Sequence, residues 1–258
     1  MTGEPIVVVL DDPAALADEA AGRVAAAARE TVAAQGRFAV ALSGGTTPRA
    51  LFERLAGPPW RHEVPWSRAE VFWGDERWVP PDHPESNYRM ARAALLDPVG
   101  IPPERVHRIA GEAADPAAAA AAYEAEIARV LGGVPGERPP VFDLVLLGMG
   151  ADGHTASLFP GTAALAERRR WVVANAVPGL GTHRITLTLP ILNRAARVLF
   201  LVAGADKAAT LREVLEGPVD PQRLPAQAVR PEAGHLVWLV DRAAAAALTS
   251  SSIGIPTS

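Results

Sequence analysis

Cysteine and long apolar runs are both missing from this chain of 258 residues. The absence of cysteine excludes disulfide bonds, thiolate metal sites and cysteine nucleophiles. No apolar run is long enough to cross a bilayer. The acidic N-terminal stretch MTGEPIVVVLDDPAAL contains only a short apolar run and does not resemble a secretory signal peptide. We therefore expect a cytoplasmic protein with no membrane partner.

The chain also lacks an excess of positive charge. Its formal net charge is −4 and its pI is about 5.9. These values argue against nucleic acid as the main partner, because neutralising backbone phosphates requires a basic face. Of the 25 basic residues only one, Lys207, is a lysine. Chance composition explains a single lysine as well as function does, so its sequence context has to decide.

The residues that are present alternate between strand-like and helix-like patterns, and 49% of them are hydrophobic, enough for one sizeable core. Several strand-like segments are continuous apolar runs, which are typical of a mainly parallel sheet covered by helices on both faces. We predict strands at 5–10, 37–43, 69–75, 141–148, 170–176, 196–204 and 235–241, and helices at 13–34, 48–56, 86–96, 115–131 and 205–216.

Boundary residues support three of these helices. Gly36 is expected to end the first helix, and Ser86 and Asp115 are expected to cap two later ones. No break in composition divides the chain into two cores. We expect one domain over residues 1–248 and a loose tail over residues 249–258.

Ligands of open parallel sheets bind beyond the carboxyl ends of the strands, so the turns after the strands hold the candidate residues. The first such turn is ALSGGTTPRA at 41–50. Its small residues allow backbone N–H groups to approach an anion at a helix N-terminus. A nucleotide-binding P-loop is excluded, because the chain has no Gly-Lys pair. A phosphate cradle and an ordinary tight turn capped by Thr47 both remain open.

The second turn, FWGDERWVP at 72–80, places Asp75, Glu76 and Arg77 at the end of a strand. A solvated run of charges is the usual explanation for such a triplet. The tryptophans on either side favour burial, however, and make a fully exposed loop less suitable.

The third turn, LLGMGADGHTASLFPG at 146–161, contains the glycine spacing G-x-G-x-x-G of dinucleotide-binding folds. The context contradicts that reading, because the motif arrives past mid-chain and no acidic residue ends the following strand. The glycines instead permit a tight backbone path that exposes Asp152 and His154. We expect His154 near a helix start, where the helix dipole favours a neutral imidazole able to act as a base. A capping Asp152 and a structural His154 are the alternative.

The fourth turn, LVAGADKAAT at 201–210, places Lys207 in the expected first turn of a helix. A cation is unfavourable at that end of the helix dipole, and an anionic ligand reverses the penalty. Lys207 therefore fits a phosphate contact. Arg184 lies within the segment at 182–190, where another apolar strand-like stretch begins, and is a second candidate cation.

Together these stretches closely resemble the 6-phosphogluconolactonase family. The matching segments are LSGGTTP, FWGDERWVPPDHPESNY, FDLVLLGMGADGHTASLFPG, RITLTLPILN and LFLVAGADKA. The related glucosamine-6-phosphate deaminases continue the histidine motif towards IAFNEP, whereas this chain continues with TASLFPG. The resemblance implies a three-layer α/β/α fold with a Rossmann-like sheet.

The resemblance also implies hydrolysis of 6-phospho-D-glucono-1,5-lactone in the oxidative pentose phosphate pathway, without metal or cofactor. The expected catalytic residues are His154 as general base, Asp152 and Arg77. Substrate binding is assigned to Ser43, Gly44, Gly45, Thr46, Thr47, Asp75, Arg184 and Lys207. The expected partner is a small sugar-phosphate lactone, and the chain is expected to be a monomer or small homo-oligomer. A sugar-phosphate deaminase or isomerase and a sugar-phosphate sensor are the competing hypotheses. Because the sequence begins directly in strand 5–10, we do not expect the DNA-binding domain that such sensors carry.

Overall fold

The computed structural model describes residues 5–249. Nine strands run through this part of the chain: β1 (Ile6–Leu10), β2 (Phe38–Leu42), β3 (Ala69–Trp73), β4 (Asp75–Arg77), β5 (Leu144–Leu147), β6 (Val172–Val177), β7 (Thr182–Leu187), β8 (Arg197–Val202) and β9 (His235–Asp241). The α-helices are α1 (Pro13–Gln35), α2 (Thr46–Ala56), α3 (Trp60–Glu63), α4 (Asn87–Ala91), α5 (Asp97–Val99), α6 (Pro116–Leu131), α7 (Leu189–Leu192) and α8 (Ala208–Glu216).

The main sheet has six strands in the order β1-β9-β8-β5-β2-β3, and every pairing in it is parallel. Helices flank this sheet, which confirms the predicted α/β architecture. The central strands β2 and β5 are buried at every position, as their continuous apolar sequences predicted. Phe200 and Trp238 are register partners on β8 and β9, and their rings stack with centroids 3.8 Å apart.

The predicted helix boundaries have direct structural causes. Asp12 caps α1 by accepting a hydrogen bond from the backbone N–H of Ala15, and Gly36 ends the helix with a φ of 78°. Asp115 accepts from Ala117 at the start of α6, and Ser86 accepts from Arg89 at the start of α4. The predicted helix at 86–96 continues from α4 through one π-helical turn into α5.

A second sheet was not foreseen. Strands β6 and β7 form an antiparallel pair outside the main sheet, and the short strand β4 joins them in the order β4-β7-β6. The predicted strand at 69–75 is therefore two strands separated by Gly74. The N–H of Gly74 donates to Leu42 of the main sheet, and its carbonyl accepts from Leu187 of the small sheet. The chain thus passes from one sheet to the other immediately before Asp75.

The predicted tail is described only at its first residue. Thr249, the first residue of the predicted tail, donates hydrogen bonds to Glu216, while residues 250–258 lie outside the described residues. None of the helices within residues 5–249 is long and apolar enough to cross a membrane.

Candidate active site

A polar cleft of about 600 Å³ opens at the carboxyl edge of the main sheet. The segments that follow β2, β3, β5 and β8 all reach it, as the position of ligand sites in parallel sheets predicts. The cleft contains all eleven residues assigned to the site from the sequence, namely Ser43, Gly44, Gly45, Thr46, Thr47, Asp75, Arg77, Asp152, His154, Arg184 and Lys207. Five separate stretches of sequence therefore meet in one place.

The turn after β2 forms an anion-binding end of the cleft. Helix α2 begins at Thr46 and follows Gly45, whose φ is 104°, so Thr47 lies inside the helix and the alternative in which Thr47 caps it is wrong. No side chain caps this helix. Thr46 and Thr47 at its start line the cleft, and their uncapped N–H groups together with the helix dipole favour an anion.

His154 is held in a defined orientation by its own loop. Its Nδ1 lies 2.5 Å from Oδ1 of Asp152, and its ring stacks on Phe159 with centroids 4.2 Å apart. A side chain at Gly150 would place its Cβ 2.1 Å from Nδ1 of His154, so a glycine is required there. Gly150 is one of the three glycines expected to permit a tight backbone path in this loop. These contacts leave Nε2 as the ring nitrogen able to meet a ligand.

The environment of His154 differs from the prediction in one respect. Residues 148–162 form turns and bends without a helix, so the expected helix start beside His154 is wrong. The orienting group is instead the Asp152 carboxylate. Burial raises the pKa of Asp152, but the hydrogen bonds and positive charge of His154 outweigh that effect and hold the pKa below its ordinary value. An ionised Asp152 accepts a hydrogen bond from Nδ1–H, and in that tautomer the lone pair of the ring is on Nε2.

Two arginines lie side by side on the small sheet. Arg77 of β4 and Arg184 of β7 are direct register partners. Burial lowers the pKa of Arg184 below its ordinary value, and the neighbouring charge of Arg77 lowers it further. Within residues 5–249 neither arginine forms an ion pair, whereas Lys207 pairs with Asp206 at 2.9 Å. Two neighbouring guanidinium groups that line one cleft favour an anionic ligand, although the carboxylates of Asp75, Glu76 and Glu85 offset part of the charge of Arg184.

Lys207 lies in a 3₁₀ turn, Ala205–Lys207, directly before α8. Lys207 was predicted to lie in the first turn of the helix. It lies instead just before that turn, at the same N-terminal end of the helix. Thr210 of α8 donates to the carbonyl of Ala151 at 2.6 Å, which ties the lysine-bearing helix to the histidine loop.

The sequence analysis named Asp75 but missed the two residues that hold it, Ser157 and Asn87, and others that complete the site. Asp75 is buried, and its carboxylate accepts from Ser157 Oγ at 2.6 Å and from Asn87 Nδ2 at 3.3 Å. Phe159 supports His154, and Leu180 lies at the rim of the cleft. These residues stand within or near the recognised stretches, but their periodicity carries no information about a site, because only the folded loops bring them into contact.

Comparisons with known proteins show the family of this chain. Residues 11–238 match the family model described as glucosamine-6-phosphate isomerases/6-phosphogluconolactonase. The chain is 45% identical over 240 residues to a 6-phosphogluconolactonase of Synechocystis, covering 93% of this chain and 97% of the relative. It is 40% identical to a 6-phosphogluconolactonase of Streptomyces coelicolor, with 97% of both chains covered.

Solved structures give the same result. The 6-phosphogluconolactonase of Trypanosoma cruzi superposes with a TM-score of 0.84 at 33% identity, covering 96% of this chain and 98% of that one. A monomeric glucosamine-6-phosphate deaminase shares the fold with a TM-score of 0.77 at 22% identity over 94% of this chain and 99% of that one. The chain therefore belongs to the family of glucosamine-6-phosphate isomerases and 6-phosphogluconolactonases.

Proposed function

We propose that this chain hydrolyses 6-phospho-D-glucono-1,5-lactone to 6-phospho-D-gluconate, the lactonase step of the oxidative pentose phosphate pathway. The observation that carries the proposal is the pairing of Asp152 with His154 in a cleft that also has an anion-binding end. The names of the relatives over nearly the whole chain support the same substrate.

The substrate phosphate binds the N–H groups and hydroxyls of the glycine-threonine turn 43–47, with Lys207 and Arg184 supplying positive charge. Binding energy from this remote group positions the lactone carbonyl beside His154. Arg77, the register partner of Arg184, stabilises the charge that develops on the carbonyl oxygen.

The reaction proceeds by general base catalysis. Nε2 of His154 takes a proton from water while the water oxygen attacks C1 of the lactone. Asp152 stabilises the resulting imidazolium through Nδ1–H. The tetrahedral intermediate then collapses by breaking the bond between C1 and the ring oxygen, and the imidazolium returns its proton to that oxygen. No step in this sequence needs a metal ion or a redox cofactor.

We also propose that the reaction takes place in the cytoplasm and that the chain works as a monomer or small homo-oligomer in which residues 1–248 form one domain. Residues from a single chain line the cleft on all the strand ends that reach it, so the proposed chemistry requires no residue from a second copy.

The direct test is base uptake at constant pH with freshly prepared 6-phosphogluconolactone, corrected for spontaneous hydrolysis. We expect strong acceleration that persists after exhaustive treatment with EDTA. An absence of acceleration, or ammonia release from glucosamine 6-phosphate at a comparable rate, would refute the lactonase proposal. Loss of activity in EDTA with recovery on adding a divalent cation would refute the metal-free mechanism.

A further inference from the structure

Asn87 is a cleft residue whose side chain is held in one orientation by Asp75. It is 1% exposed, and its Nδ2 donates to the carbonyl oxygen of Asp75 at 3.0 Å and to Oδ1 of Asp75 at 3.3 Å. Both partners are acceptors, so the amide nitrogen has to face them. The amide oxygen of Asn87 therefore faces away from Asp75.

The backbone of Asn87 is fixed as firmly as its side chain. Its N–H donates to Oε1 of the buried Glu76 at 2.8 Å, and the Glu76 carboxylate also accepts from the N–H groups of Arg77 and Tyr88 and from Ser86 Oγ. Asp75 and Glu76, neighbours on β4, thus bind the start of α4 in different ways. Asp75 holds the side chain of Asn87, and Glu76 holds its backbone.

The oxygen of this amide is unusual. Oδ1 of Asn87 is buried and, within residues 5–249, has no hydrogen-bond partner. It lies against Gly44, where an added Cβ would be only 1.8 Å from it. An unsatisfied buried acceptor destabilises a fold, and Ser86 already caps this helix. Asn87 is therefore poorly explained by stability alone.

We infer that Asn87 is a positioning residue that holds the Asp75 carboxylate and the Gly44 backbone in one arrangement. Gly44 belongs to the turn assigned to the phosphate, and Asp75 is a buried residue of β4, the strand that carries Arg77. A single side chain thus ties the phosphate-binding turn to the strand whose arginine is assigned to the reacting carbonyl. The identity of the ligand rests on the function proposed above, whereas the contact between Asn87 and Gly44 does not.

The first test is Asn87→Ala, assayed with 6-phosphogluconolactone and with unphosphorylated glucono-1,5-lactone. The phosphate can orient the reacting carbon only if the two ends are held together, so kcat/KM for the phosphorylated substrate should fall about tenfold to a hundredfold. The unphosphorylated substrate should lose less than about threefold. The midpoint of thermal unfolding should change little, because the lost donor bonds are offset by removal of an unsatisfied acceptor. Equal losses for both substrates, or a large fall in the unfolding midpoint, would show that Asn87 is merely structural.

The second test is a double-mutant cycle between Gly44→Ala and Asn87→Ala, measured by activity and by thermal unfolding. In the wild-type background the new Cβ meets Oδ1 of Asn87, and we expect activity to fall about a hundredfold. In the Asn87→Ala background the Cβ has room, so the further loss should be only a few-fold. Additive effects would overturn the inferred contact.

Gly57→Ala is the matched control for the glycine substitution. Gly57 lies outside the cleft, has a φ of −101°, and an added Cβ would be no closer than 3.6 Å to its neighbours. The control should keep wild-type activity. A wild-type chain without lactonase activity would refute the proposed function. The unfolding midpoints of the cycle would still decide whether Asn87 and Gly44 are coupled.

Discussion

Oδ1 of Asp152 lies 2.5 Å from Nδ1 of His154, although only one residue separates them in the chain. The same oxygen accepts from the backbone N–H of His154 at 3.1 Å. A side chain that binds both the ring and the backbone of the histidine fixes the tautomer and the ring direction together. The free nitrogen, Nε2, is the one the proposed mechanism uses.

Replacing His154 with alanine should reduce kcat by about 10²–10⁴-fold, since that is the usual contribution of a general base. Asp152→Asn should cost at least about tenfold, because the amide no longer selects the productive tautomer. Binding of 6-phosphogluconate, measured by calorimetry, should stay close to wild type in both variants. His62→Ala, at an exposed histidine of α3, is the control and should leave kcat unchanged. Near wild-type kcat in His154→Ala would exclude the proposed base.

Lys207→Ala should weaken kcat/KM for the phosphorylated lactone by about tenfold to a hundredfold, the size of a lost charge-assisted hydrogen bond. The loss should be much smaller for unphosphorylated glucono-1,5-lactone. Lys207→Arg should rescue only part of the activity, because a planar fork replaces a compact ammonium group. Arg223→Ala, which removes a cation outside the cleft, is the control. If both substrates lose activity equally, Lys207 does not serve as the phosphate contact.

Arg184→Gln should separate stability from binding. Arg184 lies directly opposite Arg77, and like charges in that relation destabilise a sheet by roughly 0.2–1 kcal/mol. The variant should therefore unfold at the same or a slightly higher temperature than wild type without ligand. The increase in unfolding temperature produced by 6-phosphogluconate should be much smaller than in wild type. A variant that is less stable but binds the ligand normally would contradict the anion-binding role.

Glu126→Gln tests an ion network away from the cleft. Hydrogen bonds from Arg129, with a further contribution from His107, lower the pKa of Glu126 from 4.5 to about 2. A carboxyl group with a lowered pKa in the folded state stabilises the protein above its unfolded pKa, and this contribution is lost as the pH falls towards the folded value. Glu126 is partly exposed, so we expect the variant to lose about 1 kcal/mol of unfolding free energy at pH 7.

Chemical unfolding at several pH values between 7 and 3 measures this effect. The difference between wild type and Glu126→Gln should shrink as the pH falls below about 4.5, where the unfolded glutamate becomes protonated. Glu53→Gln, in an exposed pair with Arg49, should change stability very little. A difference that stays constant with pH would show that the loss comes from packing rather than charge.

Much of the fold could be predicted because local patterns and local chemistry agree. Continuous apolar runs identified the buried parallel strands. Ser86 and Asp115 cap their helices as predicted, and Asp12, for which no cap was predicted, caps α1 in the same way. The small antiparallel sheet could not be predicted in this way. Strand β6 is largely apolar like the parallel strands, whereas β7 is largely polar. The pairing of β7 with β4 depends on the change of direction at Gly74.

The sequence by itself determined the mainly parallel α/β class, the strand ends that line the cleft and the residues that could carry the proposed chemistry. Each of these depends on short-range properties such as hydrophobic periodicity, glycine spacing and the order of motifs. Tertiary structure alone decided that Arg77 faces Arg184, that Phe159 supports His154, and that Asn87 lies between Asp75 and Gly44. Asn87 and Gly44 are more than 40 positions apart in the chain. No local sequence pattern shows which side chains will meet when loops from separate strands close around one cleft.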